Sequence, residues 1–323
     1  MSAILAGAPD RVLETVADTY LSHERGESVN PDSYFLRFPE KPGSRVIALP
    51  AYLGGAVDRI GIKWIASFPE NLQHGVPRAS AVLLLNDYQT GRPIACLEAA
   101  MISAARTGAS AAVTTAALLT AGPSRSFGFV GAGVIARTIM TYLLSAGIGM
   151  RDVLCYDLDA QRAEHLSRFA RSRVTGPVRR AEALVEALAQ DVVVFATTAA
   201  KPYVPVETAL RPGQVLLNIS LRDLPPELLL GANNILDDVD HCLKAETSPH
   251  LAERLTGSWG FVTGTIGQLL AGDVALDADR PTIVSPFGLG VLDIAVGSFV
   301  LKEAIKQGAA IDIQGFFGEA SDW

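Results

Sequence analysis

The run Phe127-Gly-Phe-Val-Gly-Ala-Gly-Val-Ile-Ala136 leads an apolar strand into Gly131-x-Gly133-x-x-Ala136, and a helical pattern follows. A second apolar run, Val153-Leu-Cys-Tyr-Asp157, ends in an acid 26 residues after Gly131. Each part has a physical task in holding a dinucleotide. Gly131 permits a tight turn, Gly133 lets the backbone approach a pyrophosphate, and Ala136 lets the helix pack close to the strand. The helix start, with Val134 and Ile135, offers free N–H groups to phosphate oxygens. An ordinary glycine turn would leave Asp157 unexplained. A carboxylate there accepts bonds from a ribose 2′-hydroxyl and repels a 2′-phosphate, so NAD is expected over NADP. Arg162 lies in the next helix and reads as a solvated charge.

A second set of residues concerns carboxylate binding. Arg45, Lys63, Arg78 and Arg106 sit beside apolar strand or helix positions. Lys63 lies between Ile62 and Trp64, and Arg106 lies in a helix of mostly Ala, Ser and Thr. A buried cation is costly unless paired. From spacing alone, each could bind an anion, snorkel to solvent, or pair with Glu98 or Asp87.

These residues must be held by two kinds of domain. Residues 9–22 read as an amphipathic helix with Val12, Val16 and Tyr20 on one face. Strands are expected at Ser33–Phe38, Arg45–Leu49, Ile60–Ile65, Ala81–Leu85 and Pro93–Cys96, the last two joined by a hairpin at Thr90-Gly91. An alanine-rich helix is expected over 97–120, stopping near Gly122-Pro123. From 123 onward, strands at 191–196, 214–219, 234–238 and 282–285 alternate with helices near 160–171 and 181–189. That alternation indicates a parallel, doubly wound sheet of Rossmann type. A helix over 290–307 follows, whose apolar residues Val291, Ile294, Ala295 and Leu301 suit either packing or dimer contact. The expected fold class is α/β. It comprises an α+β substrate-binding and dimerisation domain at 1–122, rejoined by the chain from about 300 to 323, and a nucleotide-binding domain at 123–299.

Composition narrows the function. The 323 residues are 19% charged and 49% hydrophobic, which suits folded domains with ample core. A formal net charge of −7 argues against general nucleic-acid affinity. Cys96, Cys155 and Cys242 are odd in number, scattered and without metal spacing, as expected for reduced thiols in the cytoplasm. No basic segment followed by a long apolar run marks the N-terminus, and charges or glycines break every apolar run before about 18 residues. Neither a secretory signal nor a membrane span is therefore expected.

Leu85-Asn-Asp-Tyr-Gln-Thr-Gly-Arg-Pro93 and Ser103-Ala-Ala-Arg-Thr-Gly-Ala109 resemble the ornithine cyclodeaminase/mu-crystallin family, and the domain order matches over nearly the whole chain. The resemblance implies that Arg45, Lys63 and Arg106 hold a substrate carboxylate, with Lys63 also taking part in catalysis and Arg78 assisting in binding. It implies that Asp223, after the fifth Rossmann strand, is the acid/base, and that the protein is a homodimer. Thr197, Thr198 and Ser220 end strands at the nucleotide crevice, where they could bond the cofactor or only terminate the strands; Thr107 is a further expected cofactor contact.

Within the family, Pro31–Phe38, Ala48–Gly55, Gly61–Pro69, Pro77–Ser80 and Ser220-Leu-Arg-Asp-Leu-Pro-Pro-Glu227 resemble the branch of N-(2-amino-2-carboxyethyl)-L-glutamate dehydrogenases. These make L-2,3-diaminopropionate for siderophores and peptide antibiotics. The last segment departs from the Asp-x-Pro-Gly-Lys usual in cyclodeaminases. The implied reaction removes a hydride from the glutamate α-carbon to NAD. Water then adds to the imine, and 2-oxoglutarate and L-2,3-diaminopropionate are released. The substrate is a small amino acid with several carboxylates, which suits several cations in one pocket. Ornithine cyclodeamination, alanine dehydrogenation and ketimine reduction are rivals within the family, and a non-catalytic nucleotide- or ligand-binding protein is a rival outside enzymology.

Two further segments are ambiguous. His241 follows Asp237-Asp-Val-Asp240, which reads as a solvated acidic turn rather than a metal site. Ser285-Pro-Phe-Gly-Leu-Gly290 is glycine-rich without the Lys-Ser/Thr of a P-loop, and either covers the cofactor or caps the next helix.

Overall fold

The structure is a computed structural model that describes residues 1–119 and 124–317. The expected helix stop at Gly122-Pro123, the expected domain boundary beside it and the last six residues of the tail lie outside the described residues. Two helices, α1 (Ser2–Gly7) and α2 (Pro9–Glu24), open the chain. Six strands follow: β1 (Ser28–Val29), β2 (Tyr34–Phe38), β3 (Lys41–Leu53), β4 (Arg59–Ser67), β5 (Ala79–Asp87) and β6 (Pro93–Glu98). They form an antiparallel sheet in the order β1-β3-β4-β5-β6, with β2 on β3. Strand β3 is longer than its apolar centre suggests, because β4 pairs with it from Arg45 to Leu53.

After α3 (Ala100–Leu118) comes the parallel sheet: β7 (Arg125–Val130), β8 (Met150–Tyr156), β9 (Val178–Arg180), β10 (Val192–Phe195), β11 (Val215–Asn218), β12 (Asn233–Leu236), β13 (Gly264–Thr265) and β14 (Thr282–Ser285). Its order is β13-β12-β14-β11-β10-β7-β8-β9, and every pair is parallel. The order reverses between β7 and β10, so a crevice opens beyond the carboxyl ends of those strands. Helices α4 (Val134–Ser145) and α5 (Ala160–Arg171) flank the first two strands. The short strands β1, β9 and β13 were not expected, because two or three residues carry no period.

The inner face of the antiparallel sheet carries Arg45, Leu49, Lys63 and Leu83, in register across β3, β4 and β5. The C-terminal helix Gly290–Lys306 and α3 cover this face. A Cβ on Gly61 would sit 2.6 Å from Ile294, and one on Gly297 would sit 2.1 Å from Leu83. Val291, Ile294 and Ala295 are therefore buried within the chain and are not available for a dimer contact. This helix runs unbroken from Gly290 to Lys306. The outer face is the apolar surface left open. Tyr34, Ala48, Trp64 and Val82 form one cross-strand row there, and Tyr34 is 69% and Trp64 44% exposed. No described helix is long and apolar enough to cross a membrane.

Candidate active site

The glycine turn has the shape a dinucleotide requires. Gly131 adopts φ +91°, and a Cβ there would lie 2.5 Å from the carbonyl oxygen of Ala196, just past the end of β10, so only glycine fits. At Gly133 a Cβ would meet nothing within 4 Å, leaving open space before the first turn of α4, whose N–H groups no side chain caps. Val134 is exposed and Ile135 half-buried at that turn, while Ala136 is buried against the sheet. Asp157 accepts from the backbone N–H of Ala132 at 2.8 Å and of Asp159 at 2.9 Å. Its carboxylate thus ties the glycine turn to the end of β8, beside the place where a ribose would lie. Arg162 is exposed and sits 3.5 Å from Asp159, so its charge is engaged locally. A nicotinamide dinucleotide fits this cradle by turn shape, free N–H groups and the acid together.

Asp223 lies at the carboxyl edge of the same sheet and is 0% exposed. Three hydroxyls donate to it: Thr197 at 2.5 Å, Tyr203 at 2.9 Å, and Ser220. Thr197 and Ser220, expected on the cofactor or as plain strand ends, instead spend their hydroxyls on this carboxylate. The N–H of Thr197 also donates to the Ser220 oxygen at 3.1 Å. Thr198 is exposed beside them, and the Thr107 hydroxyl bonds the Ser103 carbonyl within its own helix at 2.7 Å. Tyr203 had no sequence signal. Its ring is partly in solvent, and its phenol is pushed upward by burial first and then by the Asp223 charge. It therefore links a fully buried carboxylate to the crevice.

The cations fall into two groups. Lys63 is 2% exposed and donates to Asp293 at 2.5 Å and to Ser103 at 3.2 Å. Arg106 reaches the other oxygen of Asp293 at 3.5 Å. Arg106 Nε and Asp293 Oδ1 are both buried without a hydrogen-bond partner. Burial outweighs the attraction of Asp293, and the Arg106 charge adds to it, so the Lys63 ammonium is pushed down to about 8. Neither cation pairs with Glu98 or Asp87. Glu98 accepts from Ala100 and Met101 at the start of α3, and Asp87 accepts from Thr90 and faces Arg59 at 3.9 Å. Arg45 and Arg78 form the second group: Arg45 stands opposite Ser67 in the sheet, and Arg78 donates to the Ser67 hydroxyl at 2.8 Å. Thus the structure joins Lys63 to Arg106 through Asp293 and places Arg45 with Arg78 at Ser67, four residues along β4.

In the acidic run at 237–241 Asp240 is exposed, as a solvated turn requires, but Asp237 and His241 are buried. Asp237 is buried and accepts from the N–H groups of Phe287 at 2.9 Å and Gly288 at 2.6 Å. Burial pushes its carboxyl upward. Asp238 bonds His23 at 3.1 Å and His241 at 3.0 Å. These backbone and imidazole partners replace the water that a charged turn would otherwise need. Asp237 thereby fixes the loop 285–290 over the site: Gly288 has φ +98°, and a Cβ on it would strike the Arg106 guanidinium at 2.5 Å. The loop covers Arg106 as well as leading into the C-terminal helix.

A family model described as "Ornithine cyclodeaminase/mu-crystallin family" matches residues 10–308. The chain is 28% identical to the N-((2S)-2-amino-2-carboxyethyl)-L-glutamate dehydrogenase of Staphylococcus aureus, over 91% of this chain and 90% of that one. An archaeal alanine dehydrogenase dimer with bound NAD superposes with a TM-score of 0.84 at 27% identity, covering 95% of each chain. The Delta(1)-pyrroline-2-carboxylate reductase of Thermococcus litoralis, in complex with NADH and L-proline, superposes with a TM-score of 0.86 at 23% identity. That alignment covers 94% of this chain and 96% of that one.

Proposed function

This chain belongs to the ornithine cyclodeaminase/mu-crystallin family, and on that premise we propose that it oxidatively hydrolyses N-(2-amino-2-carboxyethyl)-L-glutamate to 2-oxoglutarate and L-2,3-diaminopropionate. It is an NAD-dependent dehydrogenase or reductase acting at an amino-acid carbon–nitrogen bond. The observation that supports this substrate is the number and placement of the cations at one sheet face. Lys63 and Arg106 share Asp293, while Arg45 and Arg78 meet at Ser67, four residues along β4. One carboxylate needs one such group; a substrate with three carboxylates uses both. Alanine, proline and ornithine each offer a single carboxylate.

When bound, NAD accepts a hydride from the substrate carbon. Lys63 and Arg106 hold the carboxylate next to that carbon, and Asp293 keeps both cations in place. Asp223 takes a proton from the water that adds to the imine and returns one to the departing nitrogen. Thr197, Ser220 and Tyr203 hold its oxygens for that exchange. The loop at Gly288 limits how far Arg106 can move and shields the cations from water, which strengthens their attraction to carboxylates. A second copy of the chain covers the outer face around Trp64, forming a homodimer.

Incubation with NAD+ and the synthetic substrate tests the reaction. NADH should accumulate together with equal amounts of 2-oxoglutarate and L-2,3-diaminopropionate. Turnover of alanine or proline, with none of this substrate, would assign the chain to another reaction of the family. NAD binding with no turnover of any amino or imino acid would make it a binding protein.

A further inference from the structure

We propose that Arg222, acting with Arg45 and Arg78, forms a second anion subsite that recognises a carboxylate on the substrate arm remote from the reacting carbon. This rests on the reaction proposed above for the identity of the substrate, but not for the chemistry of the subsite.

Four guanidinium groups converge at one end of the inner sheet face. Arg37 and Arg45 are direct cross-strand partners, Arg45 is the partner of Ser67, and Arg78 bonds the Ser67 hydroxyl. Arg222 approaches from the loop after β11, and its Nη2 donates to the Ala245 carbonyl at 2.6 Å. Among the described residues none of the four forms an ion pair with a carboxylate; Arg222 has only Glu246 and Asp223 at longer range. Like charges directly opposite in a sheet repel, and a half-buried cation without a partner costs free energy. An anion at this point relieves both.

The backbone spends further strain to place Arg222. Leu221, immediately before it, has φ +69°; Ala245 and Glu246, which hold it, have φ +56° and +54°. Left-handed geometry at non-glycine residues is costly and persists where the surroundings enforce it. Ser248 enforces it here, its N–H donating to the Leu221 carbonyl at 2.6 Å and its hydroxyl to the Leu224 carbonyl at 2.7 Å. Of the four, Arg37 alone lines an adjoining hollow of ≈ 290 Å³, with Phe35, Ala245, Lys244 and Asp32. Lys63 and Ser67 are four residues apart on β4, about 13 Å at the usual rise. Two carboxylates of one substrate lie only about 5–6 Å apart, so the long side chains at the two ends must reach toward each other to hold both.

The test is binding, not turnover. The full chain with NADH is titrated calorimetrically with 2-oxoglutarate and with pyruvate, which lacks the distal carboxylate. The wild type should prefer 2-oxoglutarate, and Arg222→Ala should lose about ten- to hundredfold of that affinity while pyruvate and NADH binding hold. Arg222→Lys should recover part of it, since lysine keeps the charge but not the bidentate fork. Undiminished 2-oxoglutarate binding in Arg222→Ala would overturn the subsite. If that variant loses NADH binding, Arg78→Ala, on a different element, decides by the same comparison. Arg222-dependent binding without turnover of the proposed substrate would sink the reaction alone.

Discussion

The ammonium of Lys63 lies 2.5 Å from Oδ2 of Asp293, with the lysine 2% and the aspartate 0% exposed. The two residues come from β4 and from the helix that ends the described core, 230 positions apart. Their pairing fastens that helix to the antiparallel sheet and sets the charge state of the site. Removing one partner strands the other charge in the interior, so Asp293→Ala should destabilise the fold by about 3–5 kcal/mol. Urea unfolding at pH 7 checks this, and a loss under 1 kcal/mol would show that the pair is solvated.

The same pair has a pH signature. Lys63 is pushed from its ordinary 10.5 down to about 8 by burial. Between those values the unfolded chain binds more protons at this residue than the folded chain, so its contribution to stability rises with pH. Measured against Lys63→Met, which lacks the titration, the wild type should gain stability as pH goes from 7 to 10. A flat or falling difference would place Lys63 in contact with water.

For Asp223, Asp223→Asn keeps the shape and cannot accept a proton. It should leave NADH binding near normal and lower kcat by about 10²–10⁴-fold. Tyr203→Phe removes one of three donors and should cost about tenfold. Steady-state kinetics with parallel NADH titration check both. An Asp223→Asn enzyme running near the wild-type rate would remove Asp223 from the chemistry.

What could be read from the sequence was what acts locally. The glycine turn, the acid ending β8 and the alternation of strand and helix each work within about thirty residues, and all are found where expected. Asp293 could not be read that way, because its partners lie far away in sequence; the one available signal was a lone acid in the largely apolar stretch 290–301 of its helix. The run at 237–241 looked solvated because its compensating N–H groups come from Phe287 and Gly288, 50 residues on. Tyr203 and Arg222 were hidden for the same reason, their partners being fixed by the crossing of loops rather than by spacing.

Asp157 has two tasks, so its replacement should have two effects. Asp157→Ser should narrow the preference for NADH over NADPH, and it should also weaken NADH binding, since Ala132 and Asp159 lose their shared acceptor. Fluorescence titration with both nucleotides tests this. Tighter NADPH than NADH binding in the wild type would contradict the reading of Asp157.

The open apolar row on the outer sheet face should be the dimer contact. Trp64→Glu places a charge in its middle and should yield a monomer with intact NADH binding, since Trp64 faces away from Lys63. Light scattering at micromolar concentration decides it. A monomeric wild type would contradict the assignment.

The central claim is that the bond broken to hydrogen is at the glutamate α-carbon of a three-carboxylate substrate. Substrate carrying deuterium at that carbon, incubated with the enzyme and NAD+ and analysed by mass spectrometry, tests it directly. The label should appear in the reduced cofactor, with unlabelled 2-oxoglutarate and L-2,3-diaminopropionate in equal amounts. Label retained in either product, or unlabelled NADH, would contradict it.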